Sequence, residues 1–143
     1  MLVGAAGLKP REAEIFDIFV APWRDVIERG FFDAPSSAEY QRIYGSQPIA
    51  EFGGIREAGR VMAMRMCFRP YMYDPSLAGM LRKLRVQTLI VWGAEDRIVP
   101  VECARLYHEA IPHASVELLE RCGHFAHLEQ PARLASLISE FLK

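Results

Sequence analysis

The stretch Thr88–Pro100, TLIVWGAEDRIVP, decides the fold of this chain of 143 residues. Its first part, Thr88–Gly93, is apolar without alternation, which is the pattern of a strand buried on both faces of a parallel sheet. The acidic turn Ala94–Arg97 follows. Pro100 suits the first position of a helix, because its missing N–H is not needed there. The stretch therefore predicts a buried strand that leads through a turn into a helix.

The segments around this stretch repeat the order of strand and helix. A helix is predicted for Pro100–Ile111 and a second strand for Ala114–Leu119. A last helix carries apolar residues at helical spacing, namely Leu134, Leu137, Ile138, Phe141 and Leu142. Upstream, Met1–Gly7 is small, apolar and uncharged, so it predicts another buried strand. Alternating strands and helices imply parallel strands with right-handed crossovers, so the fold class is α/β with about three parallel strands.

The middle of the chain has a helical pattern. Helical spacing begins at Arg11 and continues past Pro22, which must bend or divide the helix. Ser36–Glu39 has the form of a capping box at the start of a helix. A further helix is predicted over Pro48–Met66, with an interruption near Gly53, and Arg69–Pro75 predicts a loop. Four apolar side chains of this region are expected to make packing contacts: Val61, Met62, Met66 and Phe68.

Composition narrows the class of protein. A net charge of −1 gives no electrostatic reason to expect a nucleic acid or an anionic membrane as partner. No apolar run approaches the roughly 20 residues that span a bilayer, and no basic segment precedes the apolar start of the chain, as a secretory signal requires. The three cysteines form no C-x-x-C pair, and an odd number favours a reducing compartment. We expect a soluble, cytoplasmic protein.

Two chemically competent residues follow neighbouring strands of the predicted sheet. Asp96 comes after the strand that ends at Gly93, and His124 comes after the strand that ends near Glu120. The carboxyl ends of parallel strands meet at one edge of a sheet, where ligands and catalytic groups collect. A carboxylate there can fix the tautomer of the imidazole and stabilise the imidazolium. Asp96 and His124 are therefore the candidate catalytic residues.

The two motifs together, Thr88–Pro100 and Gly123–Pro131 (GHFAHLEQP), resemble the C-terminal third of an α/β-hydrolase. The resemblance implies that Asp96 is the acid of a catalytic triad and His124 its general base. Leu2–Leu8 resembles the strand that follows the nucleophile helix in that family. Residues 1–9 and 85–143 would then belong to the hydrolase core, and residues 10–84 to a helical cap.

The chain also resembles meta-cleavage product hydrolases and esterases in its opening residues and in the length of the cap. This resemblance implies hydrolysis of an ester or a C–C bond in a small apolar or aromatic ester- or ketone-type substrate. Several Met and aromatic side chains of the cap would either pack in a core or line such a substrate pocket. They are Met62, Met64, Met66, Phe68, Tyr71 and Tyr73.

The chain departs from the family pattern at the nucleophile. The family places it on a strand-to-helix elbow, G-x-S-x-G or a relative, before the acid in the chain. No serine or cysteine of this sequence has those flanking glycines, and Gly45-Ser46-Gln47-Pro48 comes nearest. We therefore expect the chain to begin downstream of the elbow, without nucleophile or oxyanion hole, and to be inactive alone. A noncatalytic module that self-associates through the exposed edge of the first strand is the alternative function.

Simpler or different roles remain open for several residues. Asp96 alone could be a turn residue before a helix, and His127 is expected to pack or form hydrogen bonds. Glu129 and Pro131 are expected to begin the last helix. Cys122, His124 and His127 have a spacing that zinc accepts, but no fourth ligand is evident nearby. We therefore predict neither a metal nor a cofactor.

Overall fold

The computed structural model describes residues 1–45 and 53–143, without the side chains of residues 53–57. Strands alternate with helices in the second half of the chain, and helices fill the middle. The elements in chain order are β1 (Leu2–Val3), α1 (Trp23–Gly30), α2 (Ala38–Tyr44), α3 (Gly53–Cys67), α4 (Leu77–Leu81), β2 (Thr88–Gly93), α5 (Glu102–Ala110), β3 (Ala114–Leu119), α6 (Ala126–Glu129) and α7 (Pro131–Phe141).

The described strands form one parallel sheet in the order β1-β2-β3. The predicted strands Thr88–Gly93 and Ala114–Leu119 are confirmed as β2 and β3, with the same bounds. The predicted strand Met1–Gly7 is much shorter. It ends after Val3 because Gly4 takes a left-handed φ of 53°, although the Gly4 N–H still donates to the Val91 carbonyl at 3.2 Å.

The central strand β2 is buried along its whole length and supplies both layers of the core. Ile90 and Trp92 face α5, in a cluster with Cys103 and Tyr107. On the opposite face, α7 covers β2, and that second cluster contains Leu89, Val91, Leu119, Leu134 and Leu137. The unalternating apolar pattern of Thr88–Gly93 thus arises because helices cover both faces.

A third cluster joins the middle region to the end of the sheet. Ile27 and Phe31 are buried, and Phe125 packs against them from the segment after β3. The rings of Phe31 and Phe125 meet edge to face with centroids 5.3 Å apart. The Phe125 N–H also donates to the Gly30 carbonyl at 3.0 Å. Helix α1 is therefore fixed directly to the segment that contains His124.

The helix predicted from Arg11 is wrong, because residues 11–22 form turns and bends and α1 begins at Trp23. The N–H groups of residues 11–13 donate to the carboxylate of Glu102, about 90 positions later in the chain. The carboxylate of Asp17 accepts from the N–H of Phe19 at 2.9 Å. These side chains bind backbone amides that a helix would use for its own hydrogen bonds. Residues 11–22 therefore do not form the helix that the spacing of their apolar residues predicts.

The other corrections in the middle region are small. The predicted capping box is displaced by one residue: Ser37 is the N-cap and accepts from the Tyr40 N–H at 3.2 Å, while Glu39 pairs with Arg42. The helix predicted over Pro48–Met66 is present as α3 from Gly53 onward, and residues 46–52 lie outside the described residues.

The packing predicted for the apolar side chains of α3 is mostly wrong. Val61, Met62 and Met66 are 48%, 58% and 82% exposed. Of the four, Phe68, directly after α3, does pack: its ring lies edge-on to the Phe19 ring at 6.2 Å. Within α3, Arg60 donates to the Phe19 carbonyl at 2.5 Å. The spacing identifies an apolar side of the helix, but no packing partner for it can be read from spacing alone.

Candidate active site

Asp96 lies in the loop after β2, which we call the acid loop (Ala94–Val99), and its side chain is fully buried. One carboxylate oxygen, Oδ1, accepts from the N–H groups of Ile98 and Val99, each at 2.9 Å. The other oxygen, Oδ2, lies 2.8 Å from Nδ1 of His124. Asp96 therefore both shapes the turn and binds the imidazole, so its buried charge is well satisfied.

His124 lies in the loop after β3, which we call the base loop (Glu120–Phe125). When the Asp96 carboxylate is ionised it only accepts hydrogen bonds, and Nδ1 of His124 is then the donor in this contact. This leaves Nε2 as the nitrogen that can take a proton from another group. The His124 side chain is 25% exposed while its partner is fully buried. The sequence-predicted pair is thus in contact, in the arrangement of an oriented general base.

Two glycines at strand ends leave room for the close approach of the Asp96 and His124 side chains and of the base loop. A Cβ on Gly4, at the end of β1, would lie 3.2 Å from His124 Nδ1 and 3.6 Å from Asp96 Oδ2. A Cβ on Gly93, at the end of β2, would overlap the backbone carbonyl oxygens of Cys122 and Gly123. All three strand ends therefore meet around the dyad of Asp96 and His124.

Glu129 is a residue whose role the sequence did not reveal. It was expected to begin the last helix, but it ends α6, and Pro131 begins α7 as predicted. Its carboxylate accepts from the Gly123 N–H and from the Phe32 N–H, each at 2.7 Å. Burial raises the pKa of Glu129, while those two hydrogen bonds act in the opposite direction. A Glu two residues before a Pro resembles an ordinary helix start, so no local signal marks this role.

The potential zinc ligands do not form a site. His127 is exposed, and its ring contacts Phe125 edge to face at 6.1 Å, which agrees with the packing role expected for it. Burial raises the pKa of Cys122 to about 12, so a thiolate ligand is disfavoured. Among the described side chains, those of residues 1–45 and 58–143, no group of three or more His, Cys, Asp or Glu could hold a metal ion.

Some of the Met and aromatic residues of the middle region line a cavity. A cavity of about 420 Å³ includes Met66, Met72 and Tyr73, together with Ala6 and Gly7 after β1. It includes neither member of the dyad. Tyr71 has a structural role, because its hydroxyl donates to the Phe16 carbonyl at 2.7 Å and accepts from the Ile18 N–H at 3.0 Å.

Comparison with known proteins identifies the family. A family model described as the alpha/beta hydrolase family matches residues 2–137. The chain belongs to this family. The fold class predicted from the order of strands and helices is therefore confirmed, and so is the resemblance to an α/β-hydrolase. The parallel strands with flanking helices are part of an alpha/beta hydrolase fold.

Curated members of the alpha/beta hydrolase family match about half of the chain. The human monoacylglycerol lipase ABHD6 is 40% identical over 67 residues, which are 47% of this chain and 20% of that protein. The 2-hydroxymuconate semialdehyde hydrolase of Pseudomonas putida is 36% identical over 62 residues, which are 43% of this chain and 22% of that protein. The matches thus extend over about a fifth of those relatives' length.

Solved alpha/beta hydrolases match nearly the whole chain in structure. The 2-hydroxy-6-oxo-6-phenylhexa-2,4-dienoate hydrolase of Rhodococcus sp. strain RHA1 has a TM-score of 0.70 and 24% identity, covering 98% of this chain and 52% of that one. The meta-cleavage product hydrolase of Pseudomonas fluorescens IP01 has a TM-score of 0.71 and 23% identity, covering 98% and 53%. The chain spans about half of these structures, and at this identity the likeness shows the fold alone.

Among the described residues, none of the helices has both the length and the apolar character needed to cross a bilayer.

Proposed function

We propose that this chain carries the acid and the base of a hydrolase that cleaves ester or C–C bonds. Asp96 orients His124, and His124 is the general base for a nucleophile that lies outside these 143 residues. The observation that carries the proposal is the 2.8 Å contact between the buried Asp96 carboxylate and Nδ1 of the partly exposed His124. Membership of the alpha/beta hydrolase family supports it.

The dyad geometry suits a proton shuttle. His124 Nε2 would take the proton of the nucleophile as it attacks the substrate, and would return a proton to the leaving group. The imidazolium formed between these steps is stabilised by Asp96 Oδ2. Because Oδ1 of Asp96 is already held by two backbone N–H groups, the carboxylate cannot rotate freely away from the ring. The chain thereby keeps His124 in the reactive tautomer.

The substrate is proposed from the relatives and from the middle region. Two of the matched relatives are a monoacylglycerol lipase and a semialdehyde hydrolase. We infer a small apolar or aromatic ester- or ketone-type substrate for the whole enzyme. Residues 10–84 would form its cap and residues 1–9 and 85–143 its core. The cavity beside Met66, Met72 and Tyr73 offers apolar surface to such a substrate, next to the charged side chains of Arg69 and Asp74. The free thiols and the net charge of −1 support a cytoplasmic location without nucleic-acid partners.

The isolated chain is expected to have no significant hydrolase turnover. The sequence has no nucleophile elbow, and one oxyanion-hole donor of the family is the backbone N–H of the residue after that nucleophile. A single such donor is worth about 3 kcal/mol of transition-state stabilisation. Saturable ester hydrolysis by the purified 143-residue chain that disappears in His124→Ala would contradict this part of the proposal.

The decisive experiment supplies a nucleophile to the dyad. The nucleophile-bearing N-terminal half of a meta-cleavage product hydrolase is fused in frame before Met1, and turnover of aryl esters and of a C–C bond substrate is measured. We expect saturable turnover that depends on the nucleophile of the added half. The matched control is the same fusion with that nucleophile replaced by Ala. A fusion that folds cooperatively and has no activity above this control would contradict the proposed function.

The order of the strands favours a second candidate function, self-association. Within the described sheet, β1 and β3 are the outer strands, so β1 has an outer edge that no described strand pairs. Such an edge is a template for pairing with another chain. We propose that the 143-residue chain on its own associates through β1. Sedimentation velocity is expected to show dimers or larger species, and a single monomeric species that melts cooperatively would contradict the proposal.

A further inference from the structure

One peptide unit outside the acid loop and the base loop is hydrogen-bonded to a side chain of the acid loop and to a carboxylate that also binds the base loop. It joins Phe31 to Phe32, directly after α1, and Phe31 is fully buried. Its carbonyl oxygen accepts from Nη2 of Arg97 at 2.7 Å, and its N–H donates to Oε1 of Glu129 at 2.7 Å. Arg97 is the residue after Asp96 in the acid loop. The carbonyl and the N–H of this peptide are therefore both hydrogen-bonded to side chains close to the dyad.

The hydrogen bonds of Glu129 continue into the base loop. Its other oxygen, Oε2, accepts from the N–H of Gly123, the residue before His124, at 2.7 Å. On the other side of His124, the Phe125 N–H donates to the Gly30 carbonyl at 3.0 Å. The backbone on both sides of His124 is thus bound either to Glu129 or to the segment that Glu129 holds.

Arg97 anchors the same segment from the acid loop. Besides its bond to the Phe31 carbonyl, Nη2 of Arg97 lies 3.2 Å from the Glu28 carbonyl and 3.4 Å from the Phe32 carbonyl. A cation at the carbonyl end of α1 is also favourable to the helix dipole. The positive charge of Arg97 acts on the carboxylate of Glu129 and opposes the effect of burial on the pKa of Glu129.

We propose that Glu129 and Arg97 are positioning residues that set the geometry of the Asp96–His124 dyad by clamping the Phe31–Phe32 peptide. The clamp adds a tie between the acid loop and the base loop that is independent of the dyad's own hydrogen bond. Because the clamped peptide follows α1, a displacement of α1 also displaces the two loops. The catalytic part of this inference rests on the proposed function, whereas the structural part does not.

The test uses the 143-residue chain labelled with ¹⁵N. The readouts are the resonance of the proton on His124 Nδ1 and the ring ¹⁵N shifts that report the tautomer. In Glu129→Gln, the amide nitrogen faces one of two N–H donors and cannot accept from it. We expect the resonance to lose at least half of its intensity in that variant and in Arg97→Lys. The matched control is Glu117→Gln, which removes an exposed carboxylate that pairs with Arg133 at 3.3 Å, and it is expected to leave the resonance unchanged.

The outcomes distinguish a positioning role of Glu129 and Arg97 from a general loss of stability. They also distinguish it from a failure of the proposed function. An unchanged His124 resonance in Glu129→Gln or in Arg97→Lys, or an equal loss in Glu117→Gln, would overturn the proposal. If one variant fails to fold, the other decides. In the fused enzyme, a misplacement of this kind is expected to lower kcat about 100-fold while KM changes much less. An inactive fusion would contradict the proposed function, but the spectrum of the isolated chain would still decide the positioning role.

Discussion

Replacement of His124 by Ala in the fused enzyme is expected to lower kcat by about 10⁶-fold, and replacement of Asp96 by Asn by about 10⁴-fold. Without His124 no group takes the proton of the nucleophile. In Asp96→Asn, the side-chain amide can present its N–H₂ group to His124 Nδ1, so that the ring adopts the wrong tautomer. The measurement is steady-state turnover of an aryl ester by the fusion and its variants.

His127 offers a matched control for this prediction. It is a second imidazole three residues away, exposed, and in contact with the Phe125 ring. His127→Ala is expected to change kcat by less than about threefold, since surface substitutions remote from special features have small effects. A comparable loss in His127→Ala, or more than a tenth of the activity left in His124→Ala, would remove His124 from the role of base.

The sheet and the dyad could be predicted because their signals are local or topological. The unbroken apolar run Thr88–Gly93 identifies a strand covered on both faces, and the order of strands and helices brings their carboxyl ends together. Asp96 and His124 were therefore located without any contact being known. The 2.8 Å distance between Oδ2 and Nδ1 is the outcome of that topology.

The contacts that fix the dyad could not be predicted because they join distant parts of the chain. Glu129 binds the Phe32 N–H from 97 positions away, and Arg97 binds the Phe31 carbonyl from 66 positions away. The false helix at residues 11–22 has the same origin, since Glu102 binds the amides there. Spacing reports which side of an element is apolar, but it does not report which distant side chain will satisfy a backbone group.

Gly93 illustrates how such a long-range contact limits which residue can occupy a position in the chain. A Cβ at this position would overlap the carbonyl oxygens of Cys122 and Gly123, which are backbone atoms and cannot rotate aside as a side chain can. Gly93→Ala must therefore push β2 away from the base loop. We expect it to lower the free energy of unfolding by about 3 kcal/mol, at the upper end of overpacking effects in cores. In a domain of this size, that loss lowers Tm by about 10 °C.

The measurement is urea and thermal unfolding of the isolated chain, with Gly59→Ala as the matched control. A Cβ on Gly59, inside α3, would meet no atom within 4 Å. Gly59→Ala is therefore expected to raise the free energy of unfolding by about 0.5–1 kcal/mol, because Ala suits a helix better than Gly. A Gly93→Ala chain as stable as its parent would show that β2 and the base loop can separate at little cost. The close approach of the strand ends would then not be what holds Asp96 and His124 together.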